Sequence, residues 1–101
     1  MAGKYPDNTQ QVGRLVDLGV IALTSNAIPV PSTLVSMAVS IQAESGNAGD
    51  VLVGDANNQS RRLAALDVYT VQVGTPGNVY MRVPLGETGS VNVHLVVPPG
   101  A

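Results

Sequence analysis

Apolar and polar residues alternate along most of this chain with the two-residue period of a half-buried β-strand. The longest alternation opens segment 34–54, which we predict to hold a strand, a Gly-rich turn at 44–49 and a second, shorter strand. Glycine, asparagine and serine suit such a turn because they tolerate positive φ or bond locally to the main chain. The first strand is predicted to turn four residues towards the core: Val35, Met37, Val39 and Ile41. We expect the two strands to form the central pair of the fold.

Segment 12–24, which precedes this pair, is ambiguous by pattern alone. Its apolar residues fit a helical spacing and fit strands equally well. Gly13, Gly19 and the apolar run 20–23 favour strands, with a β-bulge near Gly19. Residues 28–31 contain two prolines, which cannot donate to a β-ladder, so we predict an edge strand or a crossover there.

Three more strands are predicted in the second half of the chain, at 67–73, 78–83 and 90–97. We predict a loop at 55–62, a hairpin loop at 74–78 and a turn at 84–89, since glycine, proline and asparagine are concentrated there. Val91, Val93, Leu95 and Val97 are predicted to face the core. In the two preceding strands, one face is predicted to hold Tyr69, Val71 and Val73, and one face to hold Val79, Met81 and Val83.

Seven or eight short strands with no long helix predict an all-β fold. The spacing of the strands indicates a single antiparallel β-sandwich, of the jelly-roll or Ig-like type, with a small barrel as the alternative. The length of 101 residues suits one domain, which we place at 12–101. Residues 1–11 are polar and lack an apolar period, so we expect an N-terminal arm that is flexible alone or ordered only on a neighbour.

The amino-acid composition predicts that this domain has a thin core. Valine occupies 17 positions, against 9 for leucine and 3 for isoleucine, and phenylalanine and tryptophan are absent. Valine favours pleated sheet, yet it buries far less area than an aromatic side chain. Only 12% of the residues are charged, about half the usual share. We therefore expect association with partners, the alternative being a monomer whose surface is rich in uncharged polar residues.

Charge and targeting signals narrow the class of protein. A net charge of −2 gives no basis for attraction to nucleic acid or to an anionic membrane. The apolar runs are too short for a transmembrane helix, and the first residues lack the apolar stretch of a signal peptide. We expect synthesis in a cytoplasm. The absence of cysteine excludes disulfides and thiolate chemistry.

The chain offers no motif for catalysis or for a cofactor. His94 is the only histidine, so a multi-histidine metal site is excluded, and we expect a structural residue or a pH-sensitive contact. Asp50 and Asp55 flank a strand, where carboxylates act as turn acceptors or, alternatively, hold a cation. The glycines of 46–54 lack the Gly-Lys-Ser/Thr sequence of a phosphate loop. We therefore expect no enzyme, no cofactor and no metal.

Five stretches carry a recognisable pattern: A-L-T-S-N-A-I-P-V-P at 22–31, V-S-M-A-V-S-I-Q-A at 35–43, G-N-A-G-D-V-L-V-G-D at 46–55, N-V-Y-M-R-V at 78–83 and S-V-N-V-H-L-V-V at 90–97. In this pattern the sequence resembles the small β-structured virion proteins of tailed bacteriophages, over residues 20–97 in outline. At 63–66 the chain departs from it, with L-A-A-L where a Pro-Gly turn would be expected.

The resemblance implies a capsid decoration or cement protein, located on the virion, which binds the outer surface of the shell and stabilises it. Its implied partners are the major capsid protein and further copies of itself, most simply as a homotrimer. The alternative is a carbohydrate- or receptor-binding module of a phage fibre or tail, with Tyr69 or Tyr80 as sugar platforms. The candidate interface residues are Lys4, Tyr5 and Pro6 of the arm, and the basic pair Arg61 and Arg62.

Overall fold

Eight β-strands make up nearly all the regular structure of residues 13–99, the part of the chain that the computed structural model describes. They are β1 (Arg14–Leu23), β2 (Ile28–Pro29), β3 (Ala38–Ala43), β4 (Val51–Gly54), β5 (Arg61–Leu63), β6 (Val68–Val71), β7 (Tyr80–Arg82) and β8 (Gly89–Val97). A single 3₁₀ turn at Pro76–Asn78 precedes β7. No helix between residues 13 and 99 is long and apolar enough to cross a membrane.

The strands form two four-stranded antiparallel sheets, sheet A in the order β1-β8-β3-β6 and sheet B in the order β2-β7-β4-β5. Strand β4 pairs with β5, β3 with β6, β2 with β7 and β1 with β8. The chain therefore runs like one long hairpin that has been rolled into a sandwich, which is the jelly-roll arrangement. The predicted all-β antiparallel sandwich is confirmed.

The predicted central pair within 34–54 is wrong, because β3 lies in sheet A and β4 in sheet B. The segment between them crosses from one sheet to the other and is held by the start of β8. The Glu44 N–H donates to the Ser90 carbonyl at 3.1 Å. The side chain of Asn47 accepts from the Ser90 N–H and donates to its carbonyl, both at 2.9 Å.

Two other predicted loops also differ from the structure. The expected hairpin loop at 74–78 is another crossover, which carries the chain from β6 in sheet A to β7 in sheet B. The expected loop at 55–62 ends earlier than predicted, because Arg61 and Arg62 open β5 and pair with β4. Their charge masked the strand, whose only buried residue is Leu63.

The core lies between the sheets and consists of aliphatic side chains. Strand β8 supplies its centre, because it is flanked by β1 and β3 and turns every second residue inwards. The predicted inward residues of β8 are buried, as expected. Val79, Met81 and Val83, in and beside β7, are also buried, and Tyr69, Val71 and Val73 are half-buried against the core. The side chains with less than 2% exposure include Val39, Ile41, Val51, Val53, Met81, Val83, Val91, Val93, Leu95 and Val97.

The predicted inward face of the third strand is correct for Val39 and Ile41 and wrong for Val35 and Met37. The latter two are 65% and 44% exposed, and Ser36 between them is buried. Strand β3 begins only at residue 38, so the upstream residues belong to a loop whose orientation is set by other contacts.

The prediction of strand structure with a bulge near Gly19 is confirmed within β1. The register against β8 shifts between Asp17 and Gly19, and Gly19 has φ of 77°. The Asp17 Oδ1 accepts the Gly19 N–H at 2.7 Å, which stabilises this left-handed conformation. After the bulge Val20 points outwards and is 60% exposed.

The turn between β5 and β6 contains a strained residue. Leu66 has φ of 72°, a region that a branched side chain rarely adopts, and 61% of it is exposed. Its N–H donates to the Ala43 carbonyl at 2.9 Å, and its own carbonyl accepts from Gln42 Nε2 at 3.2 Å. These bonds hold the chain in the turn that replaces the expected Pro-Gly sequence.

We expect Leu66→Gly to raise the free energy of unfolding by about 0.5–1 kcal/mol. Glycine removes the cost of the left-handed conformation, about 1–2 kcal/mol, and gives part of it back as chain entropy. Leu85→Gly is the matched control, because Leu85 is 88% exposed and has no positive φ. That change should lower stability by about 0.5–1 kcal/mol. Urea denaturation with an unchanged slope measures both; equal shifts in the two variants would contradict the argument.

Candidate functional site

The two ends of the sandwich differ in charge. At one end, where β3 and β7 begin and β6 and β8 end, loops 30–37 and 72–79 contain no charged residue. At the opposite end, loops 44–50, 64–67 and 84–88 contain carboxylates and neither lysine nor arginine. We call the first the neutral end and the second the acidic end.

The carboxylates of the acidic end remain near solvent. They are Glu44, Asp50, Asp67 and Glu87. Asp50 Oδ2 lies 3.4 Å from Arg62 Nη1 on the adjacent strand, with both side chains well exposed. Asp67 Oδ2 accepts the Ala64 N–H at 3.0 Å within its turn. Exposed pairs of this kind contribute little stability, so the acidic end is a hydrated, negatively charged surface.

Three charged residues lie at the neutral end outside these two loops. They are Arg14 at the start of β1, Asp55 in loop 55–60 and Arg61 at the start of β5. The carboxylate of Asp55 is used within its own loop, where Oδ1 accepts the N–H groups of Asn57 at 2.9 Å and Asn58 at 2.8 Å. It is therefore a turn acceptor, as the first of the two sequence alternatives expected.

An apolar patch covers part of the neutral end. Its exposed members are Leu15 (65%), Leu34 (41%), Val35 (65%) and Met37 (44%). Gly13 brings Met37 close to Val96 of β8, because a Cβ at Gly13 would lie 3.0 Å from Met37 Sδ and 2.5 Å from Val96 Cγ1. We call these five apolar residues, with Val96 included, the Met37 patch. Isolated exposed apolar residues are common, whereas a cluster on an uncharged surface is typical of an interface.

Hydrogen bonds fix the loop that carries this patch. The Ser36 hydroxyl donates to the Val73 carbonyl, and its N–H donates to the Gly74 carbonyl at 2.9 Å. The Met37 N–H donates to the Val96 carbonyl at 2.6 Å. Because Ser36 points inwards, its neighbours Val35 and Met37 point outwards. The loop thus presents apolar side chains on a fixed main chain.

An open hollow of about 620 Å³ adjoins the patch through Leu34. Tyr80 lines it from β7, and Pro29 and Pro31 line it from the segment around β2. Ser32 and Thr33 are its polar side chains. Tyr69 lines a different hollow, of about 320 Å³, which opens between the sheets. The guanidinium of Arg61 lies 5.0 Å from the centre of the Tyr69 ring.

Of the residues proposed from sequence as interface, the structure describes Arg61 and Arg62. Lys4, Tyr5 and Pro6 lie outside the described residues. Arg61 stacks on Tyr69, and Arg62 pairs with Asp50, as described above. Both arginines thus have partners within the molecule, and neither belongs to the Met37 patch.

The titratable residues within 13–99 do not form a metal centre, since no group of three or more histidine, aspartate and glutamate side chains comes together there. His94 Nε2 lies 3.5 Å from Asp17 Oδ1 on the outer face of sheet A. This is a pair across adjacent strands, because Asp17 and His94 are opposite each other in the β1–β8 register.

The Met37 patch was not predicted from the sequence, because the alternation of the strand was applied from Val35 onwards, whereas β3 begins at Ala38. The run 30–37 contains a signal that would have found the loop: Pro31, Ser32 and Thr33 interrupt the alternation directly before Leu34. The pairing of Ser36 with Val73 and Gly74 has no local signal, since it joins residues 37 and 38 positions apart.

No protein-family model matches this sequence, and no curated protein matches it at a significant level of similarity.

We expect Ser36→Ala to lower the free energy of unfolding by about 1–2 kcal/mol, because the half-buried Val73 carbonyl loses its donor. Ser60→Ala is the control; that serine is exposed, so its removal should change stability by less than about 0.5 kcal/mol. Chemical denaturation of both variants measures the difference. If Ser36→Ala is as stable as Ser60→Ala, the hydroxyl does not hold the loop.

Proposed function

We propose that this protein is a capsid decoration (cement) protein of a tailed bacteriophage, which binds the outer surface of the shell through its neutral end. The proposal draws on the sequence resemblance and on one structural observation. That observation is the Met37 patch, a set of exposed apolar side chains at the end of the sandwich whose loops 30–37 and 72–79 carry no charge.

The neutral end suits attachment to another protein. Burying the exposed part of each large side chain in the Met37 patch contributes about 1 kcal/mol. The loop that carries Val35 and Met37 is already fixed by Ser36, so little ordering entropy opposes binding there. The uncharged loops leave few ions to desolvate at the contact. The partner is the major capsid protein, whose surface must supply a matching apolar contact.

The acidic end suits a position facing solvent. Its carboxylates keep their hydration when the opposite end is bound, and like charges on neighbouring particles repel one another. A decoration protein of this design adds contacts between capsid subunits without making the particle adhesive. It acts as a homotrimer on the virion, with the copies together stabilising the shell, and it performs no chemistry.

We expect Val35→Asp to weaken binding to capsid shells at least tenfold, because it places a carboxylate in an apolar contact. Leu85→Asp is the matched control: it makes the same change in charge at an 88% exposed site of the acidic end. That variant should bind as the unmodified protein does. Co-sedimentation with shells from the phage whose genome encodes the chain measures both.

Two results would contradict this assignment. Failure of the unmodified protein to sediment with the shells would remove the function itself. Loss of binding in Leu85→Asp with retention in Val35→Asp would mean that the acidic end, and not the neutral end, contacts the shell.

Binding through uncharged surfaces should also change little between 50 and 500 mM salt, a range over which a contact between charges weakens strongly.

Saccharide binding is a second candidate function, and the hollow beside Tyr80 is the observation that favours it. A tyrosine ring offers the apolar face on which a sugar ring can stack. Ser32 and Thr33 place hydroxyl groups in the same hollow, and no charged residue lines it. A neutral sugar unit is the chemistry that this combination fits.

For this second candidate we expect Tyr80→Ala to abolish binding on a glycan array and Tyr69→Ala to preserve it. The ring of Tyr69 lies beneath Arg61 and outside the hollow, so it serves as the control for the loss of a tyrosine. A blank array for the unmodified protein would exclude the saccharide function.

A further inference from the structure

The sandwich has four edge strands within residues 13–99, and two of them are unsuited to pairing with another strand. Strand β2 has only two residues, one of them Pro29, and Pro31 follows shortly after it. Proline cannot donate to a ladder, so this edge is blocked. Strand β5 has three residues, two of them arginines, which protect an edge by their charge.

The other two edges, β1 and β6, both belong to sheet A. Strand β1 is the longest in the fold, with ten residues, and β6 has four. Each pairs with a neighbour on one side only among the described residues. Neither strand contains a lysine or a proline, although β1 begins with Arg14 and has the bulge at Gly19. Away from that bulge, the outward N–H and C=O groups of the two edges can accept a further strand.

In one row across the outer face of sheet A, apolar residues lie at the two edges and polar residues lie on the central strands. This row runs Val20, Asn92, Gln42, Val68. The two valines are 60% and 55% exposed. The amides between them occupy the central strands. An exposed valine at each end of the same row gives the two edges apolar side chains that can contact each other across a strand pair.

The two edges are complementary to each other. Strand β1 runs from the neutral end to the acidic end, and β6 runs in the opposite direction. If β6 of one copy lies beside β1 of the next, the antiparallel sheet continues in the same rows. Val68 then lies beside Val20 of the neighbour. In the next row Thr70, whose hydroxyl donates to Ser40 Oγ at 3.2 Å within its own sheet, lies beside the neighbour's Asp17.

We propose that copies of this chain associate edge to edge, with β6 of one copy paired to β1 of the next in a closed ring. The contact is heterologous, so repetition about one axis gives a ring when the rotation closes, and the homotrimer of the proposed function sets its size at three copies. Rotation about an axis along the strands keeps every neutral end on the same side. The proposal rests on the self-association within the proposed function, and it specifies which surfaces meet.

Cross-linking tests this pairing directly, because the chain has no cysteine of its own. The double variant Val20→Cys, Val68→Cys is treated with a short bis-maleimide reagent and separated under denaturing conditions. We expect covalent trimers as the main product. The control double variant Val20→Cys, Leu85→Cys should give none, because Leu85 lies in a turn of the acidic end. Both positions of the test pair are more than half exposed, so folding should be preserved.

The single variants separate the ring from other arrangements. Val20→Cys alone should stay uncross-linked; efficient dimers from it would mean that two β1 edges meet about a twofold axis, which overturns the proposal. A monomeric mass for the unmodified protein, together with no product from the double variant, also overturns it. Shell binding is measured on uncross-linked protein. Binding without the ring would leave the decoration function standing, and a ring without binding would leave the pairing standing.

Discussion

The rolled hairpin of valine-rich strands is the constraint on which the rest of this structure depends. Strand β8 lies between β1 and β3 and buries four side chains completely, while β7 holds the corresponding position in sheet B. Valine fills such a pleated core without rotamer strain, but it gives a thin layer. A domain of this size with no buried phenylalanine or tryptophan has little excess stability, so contacts beyond the single chain gain importance.

The same topology separates the chemistry of the two ends. Each crossover must leave one end of the sandwich, and the chain alternates ends as it passes between sheets. The proline- and valine-rich crossovers fall at one end and the carboxylate-bearing ones at the other. Ser36 then determines which side chains of this loop are exposed. Because its hydroxyl and N–H donate to the carbonyls of Val73 and Gly74, its two apolar neighbours point outwards.

The strands and much of the core were predictable, because the alternation of apolar and polar residues can be read within each strand. It identified the inward residues of β8, the Gly19 bulge and the edge position of β2. Sheet membership was not predictable, since a turn such as 44–50 reads alike whether it closes a hairpin or crosses between sheets. The Met37 patch depends on contacts between residues distant in sequence, and the separation of charge between the ends becomes visible only once the crossovers are placed.

The edge strands of sheet B are better protected against pairing with another strand than those of sheet A. Sheet B closes its edges with proline at β2 and with paired arginines at β5. In sheet A, the edge strands β1 and β6 contain no proline, β1 has the bulge at Gly19, and each strand carries an exposed valine. Stronger protection of one sheet is the pattern expected when unwanted pairing is suppressed on one side and a specific pairing is kept on the other. Because β1 and β6 run between the ends, a neighbour paired along them stands beside the molecule, and the neutral end stays free for a different partner.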